Sequence, residues 1–374
     1  MNRSWVLRWP IVLAMLAVLL LSVSGCSGAV RAMSWTGLNI GEGRLYAADL
    51  TQVRAMNAED GSVVWAFPED PEEERRGVFH ITPALGEGHV IVASQVPPAG
   101  FFSQSQDIVW ALDRDTGALL WRFDEAAGRY VEGGAIGGGL FVIGNSDGNV
   151  YALDLERGTL RWTFQTGHRV WATPLIVSDT VYVGSMDHHL YALRMSDGEV
   201  IWDFPAGGAF AAVPALQDDT LYIGAFDDRL YRIDALTGDE RWRFTGVNWF
   251  WGSPVVHDDV VYAADVDGNV YAVDAESGKQ IWRQSLDTPV RAGMALSEDE
   301  GLLFACGQDG ALYALDVEDG FALWSAESEG QALSRPVVSG SVVYKSLIYG
   351  TYRIKALHME NGRAIWTYPT EVEE

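Results

Sequence analysis

The chemically versatile residues of this chain are its histidines, cysteines and clustered acids. The 374 residues include seven His and two Cys, and none lies in a His-Glu-x-x-His, Cys-x-x-Cys, Gly-x-Ser-x-Gly or Walker sequence. His188-His189 could bind a metal, but two solvated imidazoles in a polar turn are the simpler interpretation. Asp265-x-Asp267-Gly268-Asn269 offers Ca²⁺ ligands, yet its Gly is misplaced for an EF-hand loop. The sequence therefore predicts no catalytic residue, no metal site and no cofactor.

Residues 1–25 have the features of an export signal. Arg3 and Arg8 precede an apolar run, Ile11 to Leu21, that is short for a membrane span. The next residues, Val23-Ser24-Gly25-Cys26, resemble the lipobox of bacterial lipoproteins, in which the Cys thiol is lipidated. We expect Cys26 to be a lipid anchor and residues 26–33 to be a tether. The alternatives are an uncleaved membrane anchor or an ordinary signal peptide with an incidental Cys.

Charge and cysteine content limit the partners and the fold. Without residues 1–25 the chain carries 24 Lys and Arg against 51 Asp and Glu, a net charge of −27. Such acidity makes nucleic acid an unsuitable partner. If Cys26 is lipidated, Cys306 has no partner within the chain, so the fold must form without a disulfide.

One sequence pattern recurs eight times, and its Gly and the Trp four residues later are present in every copy. The preceding Ala is present in seven copies and is Arg232 in the fifth, and the acid is present in five copies. Successive Trp are 56, 41, 40, 40, 40, 42 and 42 residues apart. The pairs are Gly61/Trp65, Gly117/Trp121, Gly158/Trp162, Gly198/Trp202, Gly238/Trp242, Gly278/Trp282, Gly320/Trp324 and Gly362/Trp366.

Each repeat also has the pattern of four short strands. Alternating β-branched and aromatic residues are separated by polar turns, and Asp147-Gly148, Asp267-Gly268 and Asp309-Gly310 are typical of two-residue hairpins. Eight four-stranded units of about 40 residues predict an all-β fold, a single eight-bladed β-propeller over residues 34–370, followed by an acidic tail, 371–374. Two smaller propellers or an open array are the alternatives.

Ala152-x-Asp154-x-x-x-Gly158-x-x-x-Trp162 resembles the tryptophan-docking motif of PQQ-like repeat propellers, a family that includes quinoprotein dehydrogenases and BamB-type outer-membrane assembly lipoproteins. The resemblance covers roughly residues 31–370. It implies that the eight Gly/Trp pairs are structural and clasp neighbouring blades. Quinoprotein catalysis would require PQQ, Ca²⁺, a catalytic Asp and, in many members, a vicinal disulfide. This chain has no adjacent Cys pair, so we expect a protein that is not an enzyme.

Two surface regions are candidates for binding. Blade 2 carries extra residues near Pro68–Arg76 and Val96–Gln106, and both insertions should lie on the same face. The second insertion offers Phe101 and Phe102 to a partner, although both rings could instead pack on the blade.

The starts of the inner strands form the second region, a possible channel mouth lined by aromatic or basic residues from several blades. Ordinary packing between blades is the alternative there. These residues are His80, Tyr130, Trp171, Trp251 and Arg291, together with Trp249 and Phe250 of the run Trp249-Phe250-Trp251.

The sequence thus favours a lipid-anchored, non-catalytic scaffold that binds an envelope or membrane protein. A propeller that binds a small ligand at an aromatic channel mouth is the alternative. The expected location is extracytoplasmic: the periplasmic face of the outer membrane if the host has one, and otherwise the outer face of the cytoplasmic membrane.

Overall fold

The computed structural model describes residues 36–72, 74, 76–97, 105–297 and 299–369. The chain divides into two compact units, Met1–Met33 and Ser34–Glu374, and every described residue belongs to the second. The predicted export signal, Cys26, the tether and the acidic tail lie outside the described residues. The described part contains 33 strands and no helix.

The strands form eight blades in chain order, and we letter the strands of a blade A to D from the ring centre outwards. Blade 1 has β1 (Gly37–Gly41), β2 (Arg44–Asp49), β3 (Gln52–Asn57) and β4 (Val63–Phe67); blade 2 has β5 (Val78–Phe79), β6 (Ala84–Leu85), β7 (His89–Val96), β8 (Gln106–Asp113) and β9 (Leu119–Phe123); blade 3 has β10 (Ala135–Gly137), β11 (Leu140–Gly144), β12 (Asn149–Asp154) and β13 (Leu160–Gln165); blade 4 has β14 (Leu175–Val177), β15 (Thr180–Gly184), β16 (His189–Arg194) and β17 (Val200–Pro205). Blade 5 has β18 (Ala215–Gln217), β19 (Thr220–Gly224), β20 (Arg229–Asp234) and β21 (Glu240–Thr245); blade 6 has β22 (Val255–His257), β23 (Val260–Ala264), β24 (Asn269–Asp274) and β25 (Gln280–Ser285); blade 7 has β26 (Ala295–Ser297), β27 (Leu302–Cys306), β28 (Leu312–Asp316) and β29 (Ala322–Ala326); blade 8 has β30 (Val337–Ser339), β31 (Val342–Ser346), β32 (Ile354–His358) and β33 (Ala364–Tyr368).

All strand pairs within the blades are antiparallel, and each blade pairs its strands in sequence order. Blade 2 differs because its A strand is broken into β5 and β6, which both pair with β7. The predicted eight-bladed propeller is confirmed. Neighbouring A strands contact one another around the ring, and the apolar core lies between successive blades.

Each repeated Trp packs on the Gly of the next blade. A Cβ added to Gly198 would lie 2.6 Å from Cε3 of Trp162, so only Gly leaves room for the indole, and its φ of +75° also favours Gly. The other contacts follow the same rule: Trp65 on Gly117, Trp121 on Gly158, Trp202 on Gly238, Trp242 on Gly278, Trp282 on Gly320, Trp324 on Gly362 and Trp366 on Gly61.

The indole nitrogen also bonds to the next blade. Trp162 Nε1 donates to the carbonyl oxygen of Met195 at 2.9 Å, and the seven other docking Trp make the equivalent bond at 2.7–3.0 Å. Within its own blade Trp162 lies opposite Ala152, and the register shifts immediately after this Ala. Each Trp therefore joins two blades by both stacking and a hydrogen bond.

The last blade closes on the first by the same contacts. Trp366 Nε1 donates to the carbonyl oxygen of Ala58 at 3.0 Å, and Tyr344 donates to the same oxygen at 3.0 Å. Arg353 binds one carboxylate oxygen of Asp49 through two nitrogens, at 2.9 and 3.0 Å. Blades 1 and 8 are each built from consecutive strands, so side chains rather than a shared sheet close the ring.

Candidate functional site

The connections of each blade lie on two opposite faces, as the sequence analysis predicts. The D–A and B–C loops meet on one side, which we call the upper face: the amide of Gly167 donates to Asp187 at 2.7 Å, and that of Gly207 donates to Asp227 at 3.0 Å. The A–B turns lie on the other side, the lower face, where they carry acids and no Lys or Arg. These acids are Glu42, Glu87, Asp179, Asp218, Asp219, Asp258, Asp259, Asp299 and Glu300.

The blade-2 hairpin is the largest irregularity of the upper face. Its strands β7 and β8 have eight residues each, whereas the other B and C strands have five or six. The ladder continues to the pair Val96 and Gln106, so the long B–C loop begins where the sequence predicts it. Phe101 and Phe102 lie outside the described residues, and their contact with a partner stays a prediction.

A buried polar network fixes the base of this hairpin. Trp110 Nε1 donates to Ser94 Oγ at 2.9 Å, and Ser94 Oγ donates to the carbonyl oxygen of Arg76 at 2.5 Å. The Arg76 guanidinium lies 5.3 Å from the Trp110 ring centroid. No sequence pattern predicted this network, although Trp110 stands where blades 3–7 have Tyr. The network joins the Pro68–Arg76 insertion to the hairpin.

Two predicted mouth residues are instead buried between blades 2 and 3. Tyr130 is fully buried, because Gly134, not Gly133, occupies the Pro position of this blade and so shifts Tyr130 into the packed layer. Burial raises the pKa of its hydroxyl well above the usual value. His80 is also buried, with Nε2 2.7 Å from the Tyr130 carbonyl oxygen. Neither residue lines the mouth.

The remaining aromatic candidates form a cluster on the upper face. The Trp171 and Trp251 rings are stacked with centroids 6.4 Å apart, since the intervening blade 5 has only Ala211 at their repeat position. Phe226, which was not among the predicted residues, belongs to this cluster. Its ring centroid lies 4.9 Å from that of Trp251 and 5.2 Å from that of Trp249. The sequence feature that could have predicted Phe226 is an aromatic residue in an otherwise polar B–C turn. Trp249 is 46% exposed, so the cluster presents ring surface to solvent.

Phe250 does not belong to this surface, which corrects the sequence-based assignment. It is fully buried and packs with Tyr222 and Tyr271 between blades 5 and 6. Adjacent residues in an extended segment point in opposite directions, so Phe250 faces inwards while Trp249 and Trp251 face the cluster.

Two charged residues stand at the starts of A strands where the other blades have small or apolar residues. Glu132 in blade 3 stands where other blades have Thr, Ile, Ala, Gly or Ser, and Arg335 in blade 8 stands where others have Gly, Thr, Val or Ser. Burial raises the pKa of the Glu132 carboxyl to about 7. The Glu132 carboxyl accepts a hydrogen bond from the backbone of Gly133, which partly offsets this rise of its pKa.

The motifs considered as metal ligands belong to turns. Asp265 is buried and accepts hydrogen bonds from the amides of Asp267 and Asn269, at 3.0 Å each, and from the Tyr271 hydroxyl at 2.8 Å. His189 Nδ1 lies 2.8 Å from Asp203. The described residues contain no group of three or more His, Cys, Asp or Glu placed to hold a metal ion.

Cys306 and Lys345 share the interior of blades 7 and 8. Both are fully buried, and burial raises the pKa of the Cys306 thiol to about 12. Lys345 Nζ donates to the carbonyl oxygens of Gly310 and Ala326, at 2.8 and 2.9 Å. Burial lowers its pKa to about 8.

Among the residues that the structure covers, no helix is long and apolar enough to span a membrane.

Comparison with known families agrees with this architecture. The family profile described as "Beta-alanine-activating enzyme, beta-propeller" matches residues 99–351, more than half of the chain. A second profile, described as "Outer membrane protein assembly factor BamB", matches residues 29–163. The chain belongs to the PQQ-like β-propellers. The resemblance to BamB that the docking motif indicates is thereby confirmed.

The individual proteins to which this PQQ-like propeller is similar include a kinase and an assembly factor. It is 30% identical over 145 residues to the serine/threonine-protein kinase AfsK of Streptomyces griseus, covering 37% of this chain and 16% of the kinase. It is 26% identical over 83 residues to BamB of Legionella pneumophila, covering 22% of each chain. The chain thus covers less than a quarter of either relative.

Solved structures share the fold at low identity. BamB from Moraxella catarrhalis matches with a TM-score of 0.69 and 19% identity, covering 85% of this chain and 92% of that one. A europium-containing methanol dehydrogenase matches with a TM-score of 0.65 and 16% identity, covering 76% and 77%. These similarities establish the propeller fold.

Proposed function

We propose that this propeller is a non-catalytic, protein-binding scaffold of the bacterial cell envelope, anchored by a lipid on Cys26 and similar in role to BamB. The observation that carries the proposal is the blade-2 hairpin, whose strands are longer than those of the other blades. Its buried Trp110–Ser94–Arg76 network makes the base a rigid support. A rigid support with a long connecting loop is a common way to present side chains to a partner.

The similarity to BamB supports an envelope or membrane protein as the partner. Both the family profile over residues 29–163 and the relative from Legionella pneumophila bear the name outer membrane protein assembly factor. The predicted lipid on Cys26 would hold the propeller at a membrane, since each buried CH₂ of an acyl chain contributes about 0.8 kcal/mol. If the host has an outer membrane, we place the protein on its periplasmic face, and otherwise on the outer face of the cytoplasmic membrane.

The aromatic cluster favours a second candidate function, the binding of a small ligand at the channel mouth. Trp171, Phe226, Trp249 and Trp251 are in contact and partly exposed. In contrast to the hairpin, this surface lies at the starts of the inner strands of blades 4 and 6, where a small molecule is accommodated more readily than a folded partner.

The scaffold proposal is tested by crosslinking the full chain in its native membranes, capturing it and identifying what is bound. The informative variant replaces residues 97–105 with Asn-Gly, which closes a two-residue hairpin between Val96 and Gln106. A Trp171→Ala/Trp251→Ala variant is the matched control, because it alters the mouth and leaves the hairpin intact. Both variants are first compared with the wild type by melting temperature.

We expect a membrane or envelope protein that is captured by the wild type and the mouth variant and lost with the shortened hairpin. Capture that is unchanged by the shortened hairpin, or no partner at all, would overturn the scaffold assignment. Tight binding of PQQ accompanied by dye-linked alcohol oxidation would contradict the non-catalytic part.

A further inference from the structure

His80 lies in the break of the blade-2 inner strand, between β5 and β6, and both of its ring nitrogens face backbone oxygens. Nδ1 is 3.0 Å from the carbonyl oxygen of Val78, and Nε2 is 2.7 Å from that of Tyr130. The first contact lies within blade 2, and the second reaches the D–A loop that leads into blade 3. His80 is 8% exposed, so water does not readily replace either contact.

The two contacts of His80 define the protonation state of its ring. A carbonyl oxygen accepts hydrogen bonds and cannot donate them, so each contact requires an N–H on the ring. Neutral imidazole has one N–H and one bare nitrogen, whereas the protonated ring donates from both nitrogens. The observed arrangement is therefore that of the protonated ring. Loss of one proton leaves a nitrogen lone pair facing a carbonyl oxygen, which removes a hydrogen bond between buried groups.

Asp107 of β8 supplies a negative charge close to this ring. It is 4% exposed, and its Oδ1 has no hydrogen-bond partner among the described residues. Burial raises the pKa of the Asp107 carboxyl, and the positive charges of His80 and Arg129 lower it in part, as does hydrogen bonding from the Tyr130 backbone and the Gln95 side chain. A buried carboxylate is stabilised by nearby positive charge, so the charged forms of Asp107 and His80 favour each other.

These groups connect the blade-2 hairpin to blade 3. Gln95 lies opposite Asp107 in the ladder of the hairpin, and Arg129 donates to Gln95 Oε1 at 2.6 Å. His80 adds the bond to the Tyr130 carbonyl oxygen from the same side. Further charged or titratable groups around this contact are Arg129 and Tyr130 of the D–A loop and Asp147 and Tyr151 of blade 3.

We propose that His80 is a pH-sensitive clamp: its protonated ring, paired with Asp107, holds the blade-2 hairpin against blade 3, and loss of the ring proton releases the hairpin. Because only the protonated ring makes both bonds, the stability that this clamp contributes is present in acid and is lost as the pH rises through the titration of His80. The regulatory meaning of the clamp rests on the proposed function, in which the hairpin contacts a partner. Its chemistry does not, because every contact lies within this chain.

The test is an NMR pH titration of the full chain labelled with ¹⁵N in histidine, in which His80→Gln identifies the His80 signals. We expect the hydrogen-exchange protection factors of the Val78 and Phe79 amides in β5 to fall at least about ten-fold as His80 loses its proton, since a charged hydrogen bond is lost. His80→Gln should abolish this pH dependence. His168→Gln, which changes an exposed histidine of the next D–A loop, should retain it.

Asp107→Asn tests the pairing, because it keeps the size of the side chain and removes its charge. His80 should then titrate at lower pH, and an unchanged titration would overturn the pairing. Protection factors that stay constant through the His80 titration, or that change equally in His80→Gln, would overturn the clamp. The wild-type and Asp107→Asn titrations keep the test valid if His80→Gln does not fold. Absence of a partner in the capture experiment would remove the scaffold function and leave these results unaffected.

Discussion

At the scale of single residues, the docking tryptophans stabilise the ring by contacts with two blades at once. Trp162 is 7% exposed, stacks on Gly198 of the next blade and donates to a backbone oxygen there. Burying about 200 Å² of indole corresponds to an upper value near 5 kcal/mol. The repeated Trp are therefore structural residues, and the Trp of the upper face, which lack this docking, are the ones free for binding.

We predict that Trp162→Ala lowers the free energy of unfolding by about 3–5 kcal/mol, since it leaves a cavity and an unpaired carbonyl. Trp249→Ala is the matched control, because that ring is 46% exposed, and it should change stability by less than about 1 kcal/mol. Denaturant unfolding of both variants measures the difference. Equal effects would contradict the docking role.

Glu132 predicts a pH dependence of stability. Its folded-state pKa of about 7 lies above the ordinary value of 4.5, so the folded protein holds a proton that the unfolded chain releases between these values. The contribution of Glu132 to stability therefore falls as the pH rises from 4.5 to 7. Glu132→Gln should match the wild type near pH 4 and be more stable above pH 7, as measured by melting temperature. A constant difference across this range would show that Glu132 titrates normally.

At the scale of elements, aspartates of the B–C turns accept hydrogen bonds that hold the D–A loops of the upper face in place. Asp187 accepts from the amide of Gly167 in the preceding D–A loop at 2.7 Å, from the Tyr191 hydroxyl at 2.8 Å and from the amide of His189 at 3.0 Å. Tyr151, Tyr231 and Tyr313 donate to turn aspartates in the same way. This repeated link gives the upper face its fixed loops.

Asp187→Ala should lower the free energy of unfolding by about 1–3 kcal/mol, because it leaves the amide and the hydroxyl without their acceptor. Hydrogen exchange at the Gly167 amide should accelerate in particular. Asp219→Ala, in an exposed turn of the lower face, should alter neither quantity. Unchanged exchange at Gly167 in the Asp187 variant would show that the loop is held by other contacts.

The sequence was sufficient for the repeating parts of each element and insufficient where repeats diverge. The Gly/Trp spacing predicted eight blades and the docking surfaces, because the stacking requires those residue types in every copy. The predicted alignment of Tyr130 with the mouth residues of other blades was wrong by one residue. Blade 3 has Gly133-Gly134 where other blades have a Pro that marks the alignment. The contact of Phe226 with Trp249 and Trp251 joins residues of two blades, and no local pattern encodes such contacts.

At the scale of the whole molecule, closure makes the first and last blades depend on each other. Trp366 makes the same contacts to Gly61 and Ala58 that internal Trp make to their neighbours, and Arg353 with Asp49 adds an ion pair. We predict that Trp366→Ala destabilises the protein about as much as Trp162→Ala and preserves a single unfolding transition. Fluorescence and circular dichroism should then give coincident curves. A separate early transition in the Trp366 variant would indicate an open array.

The most direct test of the scaffold account places one photoreactive residue on each face of the full chain in its native membrane. Gln106, exposed at the end of the blade-2 ladder, reports the upper face, and Glu199, exposed in a C–D turn, reports the lower face. The account predicts a discrete crosslinked partner from position 106 and none from position 199. A partner crosslinked only from position 199, or from neither position, would contradict it.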